Sequence, residues 1–131
     1  IEILLELSDV SGWEIIATGG RLKTGAMSLF GKKAADSIDS YNADKAFFSC
    51  KGIDIEKGAM DRNDDSVVVK QSILSSAGKI YLAVDSTKFG KMAFSKICSL
   101  SEVDVVVTDK KPDAAWLEAF DKMGVECIYA E

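Results

Sequence analysis

Histidine is absent from the 131 residues. That absence excludes imidazole acid–base catalysis, a Ser-His-Asp triad and any His-ligated metal site. Proline is nearly absent too, Pro112 being the single one. No Ser/Gly-rich linker, repeat or low-complexity tract interrupts the chain, so one domain with one core is expected over residues 1–131. No apolar run approaches the roughly 18 residues needed to cross a bilayer, and no signal peptide is visible. Basic charge is in deficit: 16 Lys and Arg against 21 Asp and Glu leave a net charge of −5. A pI near 4.8 argues against this stretch gripping nucleic acid by itself, because phosphate binding needs a basic face. An initiator methionine is lacking as well. A chain that opens at Ile1 is expected to be a piece of something longer, or a processed product.

The three cysteines, Cys50, Cys98 and Cys127, are odd in number and far apart, with no C-x-x-C. They read as small buried hydrophobes of a reducing, cytoplasmic compartment, not as a disulfide framework. No metal or cofactor is expected.

What is present alternates strands and helices. Ile1–Leu7 is a weakly amphipathic helix. Trp13–Ala17 is a short apolar strand closed by Gly19-Gly20. Ser28–Tyr41 has helical spacing, and Lys45–Cys50 is a buried strand. Lys51–Asp61 is a polar, glycine-punctuated loop. Asn63 or Asp64 can cap a helix running to about Ala77, with Gly78 just past its end. Lys79–Val84 is the clearest central strand, and Val103–Thr108 is rich in β-branched residues. Pro112 stands at a first helical turn, ahead of a helix over Ala114–Met123 that stops at Gly124. Val125–Tyr129 is the last strand. Near-continuous apolar strands separated by helices imply an α/β fold, a mostly parallel sheet with helices on both faces. In such sheets ligands sit outside the carboxyl ends of the strands.

The chemistry therefore turns on the residues just past each strand. Gly20 and Gly25 have Walker A spacing, but Ala26-Met27 replaces the Lys-Ser/Thr, so triphosphate chemistry is not supported. Gly19-Gly20 either opens backbone N–H groups to a ligand or is a plain tight turn. Asp85-Ser86-Thr87-Lys88 could grip a polyhydroxy phosphate, Lys88 supplying charge and Asp85 accepting hydroxyls; the other reading is a solvated Asx-type turn. Lys51 and Gly52 could face the same cleft. Asp54, Glu56 and Lys57 read as solvated, and the acids of Asp61–Asp65 as helix capping, since calcium-loop spacing is missing. Thr108-Asp109 reads as a turn positioning the next helix. Trp13 and Trp116 read as core or interface anchors.

These pieces, in order, resemble a known family. Thr18-Gly19-Gly20 ends a strand, and a helix begins near Gly31. Asp44-Lys45-Ala46-Phe47, Gly52-Ile53 and Val69-Lys70 come next. The series closes with Ala83-Val84-Asp85-Ser86-Thr87-Lys88-Phe89 and Val107-Thr108-Asp109. From Trp13 onward this resembles the C-terminal sensor domain of DeoR-type transcriptional repressors. The resemblance implies a fold related to ribose-5-phosphate isomerase, glucosamine-6-phosphate deaminase and coenzyme A transferases. It implies an effector that is a phosphorylated sugar or related metabolite, and operator DNA reached only through an N-terminal helix-turn-helix that this sequence lacks. Gly19, Gly20 and Lys88 would line the effector pocket, Asp85 would neighbour it, and Lys51 and Gly52 would lie nearby. The family's upstream glycine-threonine loop is missing from this sequence, so the pocket is expected to be incomplete.

Three functions then compete: a non-catalytic sugar-phosphate sensor of a repressor of sugar metabolism, an isomerase or deaminase of the same fold, and a pure oligomerisation module. The first overlaps the third, since repressors reading symmetric half-sites are homo-oligomers. No membrane partner is expected.

Overall fold

A computed structural model describes residues 1–130. Its centre is a four-stranded, wholly parallel sheet in the order β3-β6-β8-β9, formed by β3 (Ala43–Phe48), β6 (Ala77–Ala83), β8 (Val105–Thr108) and β9 (Glu126–Tyr129). Phe47 lies opposite Tyr81, Tyr81 opposite Val105, and Val105 opposite Glu126. Three helices accompany it: α2 (Lys32–Asp39), α3 (Asp64–Ser75) and α4 (Ala114–Met123). The α/β class and the parallel sheet expected from the sequence are thus present.

Alternation along β3 and β6 puts Ala46, Phe48, Ile80 and Leu82 into one core with Val67 of α3 and Phe120 of α4. Leu82, Val106 and Ile53 are fully buried, and Phe120 is 1% exposed. Burying each such side chain stabilises the fold by about 1.5–3 kcal/mol. The rings of Phe89, Trp116 and Phe120 cluster beside α4, with Trp116 edge-on to Phe89 at 4.9 Å between centroids.

Local chemistry sets the helix ends. Asn63 caps α3 by accepting from the Ser66 amide at 3.0 Å, and Asp64 and Asp65 sit favourably in the first turn. Asp113 caps α4 through the Trp116 amide, and Gly124 ends it in the left-handed region at φ 71°. Pro112 therefore precedes the cap instead of occupying the first turn. Gly78 does not stop α3; Ser76 does, and Gly78 lies inside β6, whose start is drawn on by the bond from the Ala43 amide to the Ser76 carbonyl at 2.8 Å.

Two other expectations change. The polar segment 51–61 is a hairpin, β4 (Gly52–Asp54) and β5 (Gly58–Asp61), which joins β7 (Ser95–Cys98) in a separate antiparallel sheet ordered β4-β5-β7. Its turn is built by the Asp54 carboxylate, which accepts from the amides of Glu56 and Lys57 at 3.0 and 2.9 Å. Trp13–Ala17 is not a strand: no ladder partner stands beside it among the described residues, and Trp13 is 67% exposed. An apolar run without a neighbour to take its amides and carbonyls has nothing to hold it extended. A short helix α1 (Glu2–Leu7) precedes it, and a two-stranded ladder comes after it, β1 (Arg21–Leu22) with β2 (Leu29–Phe30). Because Ser28–Phe30 feeds that ladder, α2 begins only after Gly31, whose φ of 89° turns the chain into it.

Candidate functional site

All four strands of the central sheet point the same way, so their carboxyl ends share one edge. Lys51 lies just past β3, Asp85 to Lys88 just past β6, and Asp109 just past β8. The fold therefore brings Lys51, Asp85 and Lys88 to the edge where ligands of open α/β sheets bind.

The segment after β6 is a closed turn. Asp85 caps a single 3-10 turn over Ser86–Lys88, accepting from the Thr87 amide at 2.9 Å and from the Thr87 hydroxyl. Lys88 pairs with Asp85 at 3.2 Å and donates to the Thr87 hydroxyl at 3.1 Å. The Thr87 hydroxyl first, and Lys88 after it, hold the Asp85 carboxyl down at about 2. Asp109 reaches across from β8 and accepts from the Ser86 amide at 2.5 Å and the Ser86 hydroxyl at 3.2 Å. The Ser86 amide is the main cause of its lowered pKa. Asp109 thus anchors the 86–88 turn instead of positioning the next helix, and α4 takes its cap from Asp113.

The glycines have mainly steric reasons to be glycine. A Cβ on Gly52 would stand 2.2 Å from the Lys91 carbonyl oxygen. This close approach lets the chain after Lys88 lie along β4: Ile53 bridges Phe89, and the Gly90 amide donates to the Ile53 carbonyl at 2.9 Å. Gly19 and Gly20 have φ of 68° and 97°, and a Cβ on Gly20 would meet the Phe30 carbonyl at 2.6 Å. They lead into β1, and Gly20 packs against Phe30 and Ala34 at the start of α2.

A cleft of ≈ 660 Å³ opens beside the carboxyl end of β3. Its walls are that strand end, the loop between β1 and β2, and one side of α3. Lys51 lines it; Gly19, Gly20, Gly52, Asp85 and Lys88 do not. Sequence reading missed the rest of its charged lining, Lys23, Asp61, Arg62 and Lys70. Asp61 and Lys70 form an ion pair with side chains only 4% and 19% exposed, and the Arg62 amide donates to Asp61 at 2.6 Å. Helical period was the available signal: Asn63, Ser66, Lys70 and Ile73 lie three or four residues apart and share a side of α3. Asp61 itself, expected to serve helix capping with its acidic neighbours, instead neutralises Lys70.

The cysteines behave as hydrophobes. Cys50 and Cys98 are buried, and burial raises both thiols, Cys98 to about 12. Burial also raises half-buried Cys127. Among the described residues no group of three or more His, Cys, Asp or Glu side chains is placed to hold a metal ion. Among the described residues no helix is long and apolar enough to cross a membrane.

Comparison with known proteins accords with this architecture. The family described as the DeoR C-terminal sensor domain matches residues 1–110. The HTH-type transcriptional regulator YulB of Bacillus subtilis (strain 168) is 34% identical over 122 residues, covering 93% of this chain and 47% of that protein. The HTH-type transcriptional repressor GlcR of the same organism is 31% identical over 125 residues, 95% of this chain and 48% of GlcR. The glycerol-3-phosphate regulon repressor of Escherichia coli (strain K12) is 28% identical over 106 residues, 81% of this chain and 42% of the repressor. The chain spans about half the length of the curated relatives it matches. On the family match over residues 1–110 and these likenesses to transcriptional regulators, the chain belongs to the DeoR C-terminal sensor domain family.

Proposed function

We propose that residues 1–131 are the effector-sensing domain of a cytoplasmic transcriptional repressor of sugar metabolism, and that the effector is a phosphorylated sugar or a related polyol phosphate. The observation that carries this reading is the cleft beside β3, where Lys23, Lys51, Arg62 and Lys70 face one carboxylate, Asp61, in a chain of net charge −5. Such a concentration of positive charge in an acidic protein draws an anion. The effector lies along the carboxyl edge of the sheet, in contact with Lys51. Lys88 and Asp85 border it through the turn after β6, Gly52 lets that turn approach β4, and Gly19 and Gly20 set the entry to the β1–β2 loop. Binding shifts a conformational equilibrium that a helix-turn-helix of the parent protein reads at operator DNA, in a homo-oligomer.

The reading is non-catalytic. An isomerase or deaminase needs a carboxylate base that titrates near neutral pH. Asp85 and Asp109, the carboxylates at the sheet edge, are both pushed the other way, by Thr87 and Lys88 and by Ser86 respectively.

Thermal shift of the parent repressor against a panel of sugar phosphates tests this. At about 100 times Kd one ligand adds roughly 2.7 kcal/mol, and its unphosphorylated parent sugar adds nothing. Lys51→Ala abolishes the shift. A silent panel, or turnover of any panel member, refutes the proposal.

A further inference from the structure

The effector reading leaves open which end of the ligand enters the cleft, and the charge balance inside it answers. Asp61, the one carboxylate there, is occupied: its side chain is 4% exposed, paired with Lys70, and bonded to the Arg62 amide at 2.6 Å. That pair cancels the Lys70 charge at the floor. Lys23, Lys51 and Arg62 have no carboxylate within ion-pair distance among the described residues. They come from three places, the β1–β2 loop, the end of β3 and the residue after β5, and all three line the same cavity.

The acids at the start of α3 have other partners, although Asp65 shares a neighbouring cavity with Lys23. Asp64 accepts from the Ser95 hydroxyl, and Asp65 pairs with Arg21 at 3.3 Å. Neither lines the cleft. Lys88, by contrast, has Asp85 at 3.2 Å, so its charge is already matched. Three cations without a carboxylate partner line one cleft, and a ligand with more than one negative charge matches them better than a monoanion.

The geometry points to Lys23, Lys51 and Arg62 as a clamp for the dianionic phosphate of a phosphomonoester, closed on one side by the β1–β2 loop that carries Lys23. The inference rests on the effector reading and adds which side chains hold the phosphate. A phosphomonoester bears about −1.5 to −2 at pH 7, because its second pKa is near 6. A diester or sulfate ester bears one charge and leaves the cleft with a surplus. The sugar portion is then left to extend toward the turn that holds Lys88.

NMR titration of the chain with inorganic phosphate, at ionic strength matched with sodium chloride, tests the clamp. The expected result is movement of the amides of residues 23–28 and 62–66. Lys23→Gln and Arg62→Gln, both at exposed positions, each weaken phosphate binding by about tenfold, the worth of one charge-assisted hydrogen bond. Movement confined to residues 85–88, shifts that chloride reproduces, or affinity unchanged in both variants overturns the inference. Its failure is separable from that of the effector reading. A silent sugar-phosphate panel beside a phosphate-responsive cleft leaves the clamp standing. A panel ligand whose affinity ignores both variants removes the clamp alone.

Discussion

Removing Lys70 while keeping Asp61 probes the most deeply buried charge among the described residues. The Asp61 carboxylate is 4% exposed and has two partners, Lys70 and the Arg62 amide. In Lys70→Met the methylene stem remains to fill the space, but the carboxylate keeps a single hydrogen bond and its charge goes unbalanced. Breaking one side of a buried pair costs about 3–5 kcal/mol. The retained Arg62 bond puts the expectation at the lower end, about 3 kcal/mol. That is a large share of the roughly 5–15 kcal/mol available to a domain of this kind. The thermal midpoint of a chain of this length drops by about 10 °C. Urea unfolding at pH 7 followed by circular dichroism measures the loss, and the dependence on urea concentration stays unchanged if only stability has moved. Two companions make the result specific. Lys70→Met combined with Asp61→Asn removes the orphaned charge and recovers most of the loss. Glu118→Gln, which breaks the exposed pair with Lys122, costs less than about 1 kcal/mol. A Lys70→Met chain within about 1 kcal/mol of the parent, or a double variant as damaged as the single, refutes the reasoning.

Two other outcomes concern the sheet edge. Gly52→Ala sets a methyl 2.2 Å from the Lys91 carbonyl, so the segment after the 86–88 turn must separate from β4; hydrogen exchange at the Gly90 amide accelerates, and unchanged protection refutes the account. The lowered Asp85 carboxyl means that its tie to Thr87 and Lys88 is fully present above the ordinary value of 3.8 and is lost as pH falls through about 2; a carboxyl carbon NMR titration with its midpoint near the ordinary value contradicts it.

The sequence made the central sheet legible because its strands are apolar on their own account. Lys79–Val84 and Val103–Thr108 cover β6 and β8 with small errors at the ends, and the caps at Asn63 and Gly124 announce themselves chemically. The β4–β5 hairpin stayed hidden because only seven residues separate Gly52 from its ladder partner Met60, and the turn at Asp54 depends on a side chain folding back on its own backbone. Trp13–Ala17 failed for the opposite reason: its local pattern is that of a strand, but a ladder is a property of two segments. Of the candidate site, residues directly after strands were legible, since position in the chain predicts the sheet edge. Lys23, Arg62 and Lys70 were not, because a β1–β2 loop, a strand end and a helix face meet only in three dimensions.

The aromatic cluster gives the protein a built-in optical reporter. Phe89 is the direct neighbour of Lys88 and its ring meets Trp116 at 4.9 Å, so movement of the 86–88 turn changes the surroundings of that indole. Trp13, 67% exposed and remote in sequence, answers to a water-soluble quencher such as iodide. Quenching therefore suppresses Trp13 more than the half-buried Trp116, and a ligand that engages the sheet edge can be followed by the colour of the remaining emission without any label.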